Sequence, residues 1–383
     1  MRTSSQVYRC DYEFFVEIFF TILPLLSSLA MTPETSLSWI QSWKCSDVIS
    51  QIEVSYDESI VGIATFSTEA NSTVYLVSAS NGQILHKLHH NFPIADMKFC
   101  PRDSSILVTV SDHIRVFKWG NLSAVLNPHN EQDIVEVCPF TAIDFESTKG
   151  SLFAVTDVRG FCSVWDLNAT DDQPIKIYEL VSEILYSVSF VTENVIGVVS
   201  ESGSMFVIDR RTHSAVGTEA QDECVPACQP RLLAWNHQSS MIAIANQTSG
   251  TFAVYELKSI RDNPKFLGSS PRVTKPGSGI ACMKWVESQS GAQVLVIARD
   301  SGTVEVWNTN YSRLDAPVFQ ISSETSASAL SYYWKNCAVL VGLTNGRMSS
   351  TKLPEIASTR TTRKSFTGKF DDYLETTNYP ALG

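Results

Sequence analysis

Residues 302–307 read Gly-Thr-Val-Glu-Val-Trp, a turn glycine followed five positions later by a large strand residue. Six further segments repeat this spacing of a turn residue and a mostly apolar residue. The seven pairs are Asn71/Leu76, Asp112/Phe117, Gly160/Trp165, Gly203/Ile208, Gly250/Tyr255, Gly302/Trp307 and Gly346/Thr351. Their second members lie 41, 48, 43, 47, 52 and 44 residues apart. A period of this length indicates a repeated supersecondary unit.

Each repeat predicts the same succession of strands around its turn. Alternating segments precede the turns, which is typical of half-buried strands. They end in Met97 and Phe99, Ile143 and Phe145, Val188 and Phe190, Leu233 and Trp235, Met283 and Trp285, and Tyr332 and Trp334. Short apolar runs such as 294–298 follow and indicate strands buried on both faces, and a third strand comes after the turn. We therefore predict an all-β chain, a seven-bladed WD40 β-propeller.

The seventh repeat differs because the alternation stops after its third strand, at Pro354. A ring must close without leaving an exposed strand edge. The segment Leu37–Trp43 precedes the first blade and alternates in character, so we expect it to supply the missing strand of the last blade. The alternative is that this segment forms an irregular cap.

Composition supports a single large core. The chain has 383 residues, of which 44% are hydrophobic, and we assign residues 31–353 to one propeller domain. The formal net charge is −11, with 29 Lys and Arg residues against 40 Asp and Glu residues. Because tracking of phosphates needs clustered basic residues, direct binding of nucleic acid is not expected.

The two ends of the chain differ from the repeats. Residues 1–30 contain an apolar stretch at 18–26 of the length found in signal peptides, but acidic residues precede it. We interpret residues 1–30 as an extension ahead of a functional start at Met31, and a signal peptide or an amphipathic anchor are the alternatives. With a start at Met31, no association with a membrane is expected. Residues 354–383 are polar, and we interpret them as a flexible tail.

Cysteine usage bears on the cellular compartment. The chain has nine cysteines, and Cys100, Cys162 and Cys282 fall on predicted strands of separate blades, where a thiol is ordinary apolar filling. We expect an intracellular protein of the cytoplasm, the nucleus or both, with its cysteines reduced. A secreted binding propeller with disulfides is the alternative, and Asn-X-Ser/Thr triplets at Asn121 and Asn168 are compatible with it.

No arrangement of residues in the sequence indicates an enzyme. The seven histidines show no metal-ligand spacing, and there is no phosphate-binding glycine loop or serine elbow. Asp112, Asp157 and Asp300 fit the role of turn residues that accept backbone hydrogen bonds. We therefore expect a non-catalytic protein without a cofactor or a bound metal.

One segment points to a binding partner. Ile208-Asp209-Arg210-Arg211 ends the third strand of the fourth repeat and resembles the WDxR motif that WD40 substrate receptors present to the adaptor of cullin-4 ubiquitin ligases. We take Ile208, Asp209 and Arg211 as the candidate adaptor-binding motif, in which Asp209 orients the guanidinium of Arg211. The alternative is that this Asp-x-Arg unit only stabilises its own blade.

Several stretches together resemble a more specific family. They are residues 106–117, residues 138–145, Val164-Trp165-Asp166-Leu167, residues 206–211 and residues 231–236. In this order they are similar to the WD-repeat family of anthocyanin regulators and Transparent Testa Glabra, over about residues 37–353. The animal members of that family associate with the cullin-4 adaptor and scaffold DYRK and HIPK kinases. The plant members bridge MYB and basic helix-loop-helix transcription factors, and some animal members are tied to the cytoskeleton. The resemblance implies an intracellular scaffold that assembles protein complexes, with a substrate receptor of a cullin-4 ubiquitin ligase as the alternative.

Overall fold

The computed structural model describes residues 38–353 apart from 68–70, 128–138, 149, 170–171, 213, 219–230, 237–240, 247–248, 257–264, 271–278, 288–292, 309–316, 318, 324 and 335–336. The extension at residues 1–30 and the tail at residues 354–383 lie outside the described residues. In the described part, regular structure consists of β-strands and one short 3₁₀ helix, Ile40–Ser42.

The strands form seven small antiparallel sheets, which we number as blades 1 to 7 along the chain. Blade 1 holds β1 (Val48–Val54), β2 (Ile60–Phe66), β3 (Ser72–Ser78) and β4 (Ile84–His90). Blade 2 holds β5 (Asp96–Cys100), β6 (Asp103–Val110), β7 (Ile114–Lys118) and β8 (Asn121–Leu126). Blade 3 holds β9 (Phe140–Phe145), β10 (Leu152–Asp157), β11 (Phe161–Asp166) and β12 (Lys176–Glu179). Blade 4 holds β13 (Leu185–Thr192), β14 (Val195–Ser200), β15 (Met205–Asp209) and β16 (Ser214–Thr218).

The remaining blades follow the same order. Blade 5 holds β17 (Arg231–Asn236), β18 (Met241–Asn246), β19 (Phe252–Glu256) and β20 (Lys265–Ser269). Blade 6 holds β21 (Ile280–Glu287), β22 (Gln293–Arg299), β23 (Thr303–Asn308) and β24 (Phe319–Ser322). Blade 7 holds β25 (Ala327–Tyr333), β26 (Ala338–Leu343) and β27 (Met348–Lys352). Consecutive strands pair in every blade, so each sheet is a simple meander.

The first strands of successive blades lie next to one another and close a ring. The contacts run through β1, β5, β9, β13, β17, β21 and β25, and β25 returns to β1. The first strands therefore surround the centre, and the last strands lie at the rim. The predicted seven-bladed β-propeller is confirmed.

Apolar side chains fill the spaces between the blades. The second strands predicted as continuous apolar runs are buried, as in β14 and in residues 294–298 of β22. One cluster between blades 1 and 2 joins Val74 and Leu88 to Met97, Phe99 and Leu107. Because each blade contributes only half of such a cluster, no blade has a complete core by itself.

The turn glycines show why the repeat spacing is so regular. Gly160 has φ 91°, and a Cβ there would lie 1.5 Å from the carbonyl oxygen of Val181. Gly302 has φ 79°, and a Cβ there would lie 2.2 Å from the carbonyl oxygen of Thr325. The segment that leaves the fourth strand therefore crosses directly over the turn. Only glycine satisfies both the left-handed backbone and the close approach.

The closing segment lies where it was predicted, but in a different form. We expected Leu37–Trp43 to form a strand, and its described residues instead contain the 3₁₀ helix Ile40–Ser42, followed by a single antiparallel bridge between Lys44 and Arg347. Trp39 and Ile40 are buried between blades 7 and 1. Burial of these two side chains, together with the hydrogen bond from Trp39 Nε1 to the carbonyl of Ala79 at 2.9 Å, favours a turn over an extended ladder.

Hydrogen bonding at the last turn shows that this segment takes the place of the fourth strand. The amide of Cys45 donates to the carbonyl of Gly346 at 3.0 Å. Leu180 makes the same bond to Gly160, and Ser323 makes it to Gly302. Blade 7 is therefore completed by the N-terminal part of the described chain.

The meander gives the ring two distinct faces. The connections from first to second strand and from third to fourth strand lie at one end of each blade, and we call the surface that they form the AB face. The connections from second to third strand and those between blades form the opposite BC face. Turn glycines such as Gly160 therefore belong to the BC face, and the segment 209–211 belongs to the AB face.

Candidate functional site

The predicted Asp-x-Arg unit forms a local ion pair at the AB end of β15. Asp209 Oδ1 accepts hydrogen bonds from the backbone amide of Arg211 at 3.0 Å and from its Nε at 3.1 Å. Asp209 Oδ2 accepts from Arg211 Nη2 at 3.2 Å. The Asp209 side chain is 5% exposed and that of Arg211 is 33% exposed, so the carboxylate is fixed in the blade while the guanidinium reaches solvent.

The three predicted motif residues have different roles in the structure. Ile208 is fully buried and packs with Val164 and Leu185 at the junction of blades 3 and 4. It therefore anchors the strand end and presents no surface to a partner. Asp209 and Arg211 are brought together, as expected.

Comparison with blade 3 shows which contact of this unit stabilises the turn. In blade 3, Asp166 Oδ1 accepts from the backbone amide of Asn168 at 3.0 Å, the same bond that Asp209 makes to the amide of Arg211. The aspartate thus stabilises the turn in both blades. Blade 4 has an arginine, Arg211, where blade 3 has Asn168. Arg210, next to it, points elsewhere and donates from Nη1 to the carbonyl of Glu193 at 2.8 Å.

Exposed apolar side chains are concentrated on the same AB face. Among the described residues, the large ones are Tyr56, Ile84, Leu85, Trp119, Leu122, Ile175 and Trp334 on this face, and Val48 and Val125 on or towards the BC face. Trp334, predicted as the end of a strand, lies one residue beyond β25 and is exposed. Exposed apolar groups gathered on one side of a protein mark an interaction surface.

A cluster of charged side chains occupies the centre of the ring. Lys98 of β5 and Lys284 of β21 both donate to Glu53 of β1, with Nζ–Oε distances of 3.4 and 3.3 Å. These contacts join blades 1, 2 and 6 across the centre. Burial opposes ionisation of Glu53, but the two ammonium groups outweigh it and hold the pKa of the carboxyl below its usual value.

The two lysines respond differently to the same surroundings. Burial acts to lower the pKa of Lys98, but the carboxylates of Glu53, Asp96 and Asp144 outweigh it and raise the pKa. For Lys284 burial dominates, and its pKa is lowered although Glu53 partly compensates. The difference follows from the number of carboxylates near each ammonium group and from the repulsion by Lys98.

The carboxylates in the centre also tie neighbouring blades together. Asp96 of blade 2 accepts from the backbone amide of Ile143 in blade 3 at 3.1 Å. Asp144 of blade 3 accepts from the amide of Phe190 in blade 4 at 2.8 Å. Burial raises the pKa of Asp96 to about 6, although Lys98 acts in the opposite direction. These contacts hold first strands in register, which is a structural role.

Sequence reasoning missed this central cluster, although a signal was present. Lys98 lies between Met97 and Phe99, and Lys284 lies between Met283 and Trp285. In a strand whose alternate residues enter the blade core, the intervening residue points to the other side. A charged residue at that position of a first strand therefore indicates the centre of the ring.

In the described part of the chain, no group of His, Cys, Asp and Glu residues has the geometry to hold a metal ion. No helix among the described residues is long and apolar enough to cross a membrane. Comparison with protein-family models and with curated proteins found no match to this chain.

Proposed function

We propose that this chain is a non-catalytic intracellular scaffold that assembles protein complexes through the AB face of its propeller. The observation that carries the proposal is the concentration of exposed aromatic and aliphatic side chains on that face. Aromatic side chains are enriched in interfaces because they bury a large area for a small loss of conformational freedom. Kinases, transcription regulators and regulators of the cytoskeleton are the partner classes that the family resemblance implies.

The test compares the two faces of the ring in the full-length protein. Tyr56→Ser and Trp334→Ser change the AB face, and Val48→Ser and Val125→Ser serve as the matched controls away from it. Proteins captured with each variant in cells are quantified by mass spectrometry. We expect the AB-face variants to lose specific protein partners that the controls retain. Equal recovery with all four variants, or no specific partner of the unchanged chain, would contradict the proposal.

A second candidate function is that of a substrate receptor in a cullin-4 ubiquitin ligase. The observation that favours it is the arrangement of Arg211, which Asp209 holds by two side-chain hydrogen bonds at the exposed end of β15. A partly exposed and preorganised arginine is a common anchor of interfaces.

Purified cullin-4 adaptor provides a direct test of this second function. Arg211→Ala should weaken capture of the adaptor by an amount on the order of 2 kcal/mol or more, because an anchoring guanidinium is lost. Asp209→Ala should have the same effect and also lower stability by about 1 kcal/mol. Arg210→Ala is the matched control, since Arg210 bonds within its own blade. If Arg211→Ala binds the adaptor as tightly as the unchanged protein, the motif is only structural.

The state of the cysteines distinguishes an intracellular scaffold from a secreted binding propeller with disulfides. The five described cysteines, Cys45, Cys100, Cys162, Cys282 and Cys337, form no disulfides among themselves. For an intracellular scaffold of the cytoplasm or nucleus, thiol labelling of protein unfolded without reductant should find all nine cysteines reduced. Recovery of several disulfides, or of glycans on Asn121 or Asn168, would favour a secreted binding propeller.

A further inference from the structure

The two lysines at the centre of the ring share one carboxylate but differ in their other neighbours. Glu53 uses a separate oxygen for each of them, Oε1 for Lys98 and Oε2 for Lys284. The two lysine side chains are 25% and 34% exposed, so solvent reaches both to a similar extent. A difference in chemical behaviour between the two lysines therefore has to come from charge rather than from access.

The strand register shows how charged neighbours are distributed around the ring. Cross-strand pairing gives Lys98 and Lys284 the same position in their first strands. In the blades on either side of Lys284, blades 5 and 7, that position holds Ala234 and Ser331. In blade 3, beside Lys98, it holds Asp144. Lys98 therefore has a carboxylate at this position or bonded to it in both neighbouring blades, whereas the equivalent neighbours of Lys284 are uncharged.

These neighbours act on the two ammonium groups in opposite directions. Burial is outweighed at Lys98 by its carboxylate neighbours, which raise the pKa of this lysine. Burial lowers the pKa of Lys284, Glu53 opposes this, and the positive charge of Lys98 adds to the lowering. Asp96 has a smaller opposing effect on the pKa of Lys284. A recessed lysine beside a second cationic group is a setting in which proteins generate a nucleophilic amine.

We propose that Lys284 is a nucleophilic amine that binds small aldehydes as an imine at the centre of the propeller. Its partner Glu53 has a carboxylate oxygen 3.3 Å from Nζ and carries protons during the reaction. Aldehydes suit this site because the protonated imine keeps a positive nitrogen beside Glu53 and so retains the ion pair. The binding does not depend on the proposed scaffold function, since Tyr56 and Trp334 take no part in it.

Protons and charge balance over the reaction. The ammonium group of Lys284 transfers a proton to Glu53, and the freed electron pair of Nζ forms a bond to the carbonyl carbon of the aldehyde. The π electrons of the C=O bond move to the oxygen, which takes a proton from Nζ. Glu53 then gives its proton to this oxygen, the C–O bond breaks, and water leaves. The product is a protonated imine with the same single positive charge that Lys284 had before.

Reductive trapping in the full-length protein tests the proposal. The protein is incubated at about pH 7 with acetaldehyde and sodium cyanoborohydride, which reduces an imine to a stable ethylamine. Peptide mass spectrometry then gives the rate of ethylation at each lysine. We expect Lys284 to react at least about tenfold faster than Lys98 and than the exposed Lys118, because each unit of difference in pKa changes the amine fraction about tenfold. A rate at Lys284 no higher than the rate at Lys98 or Lys118 would overturn the proposal.

Variants at Lys98 separate nucleophilicity from mere access. Lys98→Met removes the neighbouring positive charge and leaves Glu53 to Lys284 alone, so ethylation of Lys284 should slow about tenfold. Lys98→Arg keeps the positive charge and should retain the rate of the unchanged protein. Lys118→Met, at an exposed lysine on the rim of blade 2, is the matched control and should also retain it. Equal rates at Lys284 in Lys98→Met and Lys98→Arg would overturn the proposal.

Discussion

Blade 6 and the junction of blades 1 and 2 both contain buried polar groups, but those of blade 6 are hydrogen-bonded and some at the junction have no partner among the described residues. In blade 6, Arg299 and Glu305 form a bidentate pair, with N–O distances of 2.7 and 2.9 Å, and Trp307 Nε1 donates to Glu305 at 3.0 Å. At the junction, His90 packs against the ring of Phe117 at 5.5 Å between centroids. Both ring nitrogens of His90 and the hydroxyl of Thr109 are buried with no hydrogen-bond partner among the described residues.

The difference arises from one strand position. Trp307 occupies the large-residue position of the repeat in blade 6, as Trp165 does in blade 3, and each donates its indole N–H to the side chain two residues earlier. Phe117 occupies that position in blade 2 and has no donor. Blade 2's Arg115, two residues earlier, is bound instead to Asp112, with an Nη1–Oδ1 distance of 2.6 Å. The two residue types satisfy the same apolar pattern, yet only tryptophan extends a buried hydrogen-bond network.

The largest expected effect is the loss of the buried ion pair in blade 6. Arg299→Met should lower the free energy of unfolding by about 3–5 kcal/mol, because Glu305 is left charged and buried without its partner. Chemical denaturation measures the change. Arg347→Met, at an exposed arginine of blade 7, is the control and should change stability by less than about 0.5 kcal/mol. Similar small effects for both variants would show that the buried network does not stabilise blade 6.

The unpartnered histidine predicts a pH dependence at the junction of blades 1 and 2. Burial lowers the pKa of His90 to about 4, the nearby Arg115 adds to this, Asp112 opposes it, and His89 lowers the pKa further. Because the folded pKa lies below the unfolded value of about 6.5, stability is full above that value and is lost as the pH falls towards 4. Between pH 7.5 and pH 5 the unchanged protein should lose about 2 kcal/mol from this group.

His90→Leu removes this dependence if the account is correct. Between pH 7.5 and pH 5, the free energy of unfolding of this variant should fall by about 2 kcal/mol less than that of the unchanged protein. His86→Leu, at an exposed histidine of the same strand, serves as the control and should retain the dependence. If His90→Leu retains it as well, His90 is not an unpartnered buried group.

Two substitutions of buried hydroxyl groups, one hydrogen-bonded and one not, are expected to have smaller effects on stability. Ser163→Ala removes the acceptor for Trp165 Nε1 at 2.9 Å and should cost about 1–2 kcal/mol, since a buried donor is left unpaired. Thr109→Val removes a hydroxyl that has no partner among the described residues, and we expect no loss or a gain of up to about 1 kcal/mol. Thermal denaturation of both variants decides the point, and a loss of more than about 1 kcal/mol for Thr109→Val would contradict it.

The sequence predicted the parts of the fold that depend on local pattern. Turn glycines such as Gly160 and apolar second strands carry a fixed spacing, and both lie where they were expected. The 3₁₀ form of the closing segment was not predictable from its alternating pattern. It is set by the packing of Trp39 and Ile40 between blades 7 and 1, which the local sequence does not show. The central ion pair of Glu53 and Lys284 joins residues far apart in the chain, and a repeat pattern alone does not show which residues meet across a ring.

The candidate site was predictable to a similar degree. Asp209 and Arg211 were identified because their pairing is local, within three residues. The exposed apolar residues of the AB face, such as Trp119 and Leu122, were missed because they come from turns and outer strands of several blades. Their exposure depends on how neighbouring blades pack.

The N-terminal segment that contains Trp39 and Ile40 closes the ring, and a chain that lacks this segment shows whether the closure stabilises the propeller. A chain that begins at Met31 retains Trp39, Ile40 and the bond from Cys45 to Gly346, whereas a chain that begins at Asp47 loses all three and exposes the edge of β27. Calorimetry and light scattering compare the two chains. We predict a single cooperative transition for the first chain, and a lower transition temperature with aggregation for the second. Identical melting and identical solubility of the two chains would contradict the closure of the ring by this segment.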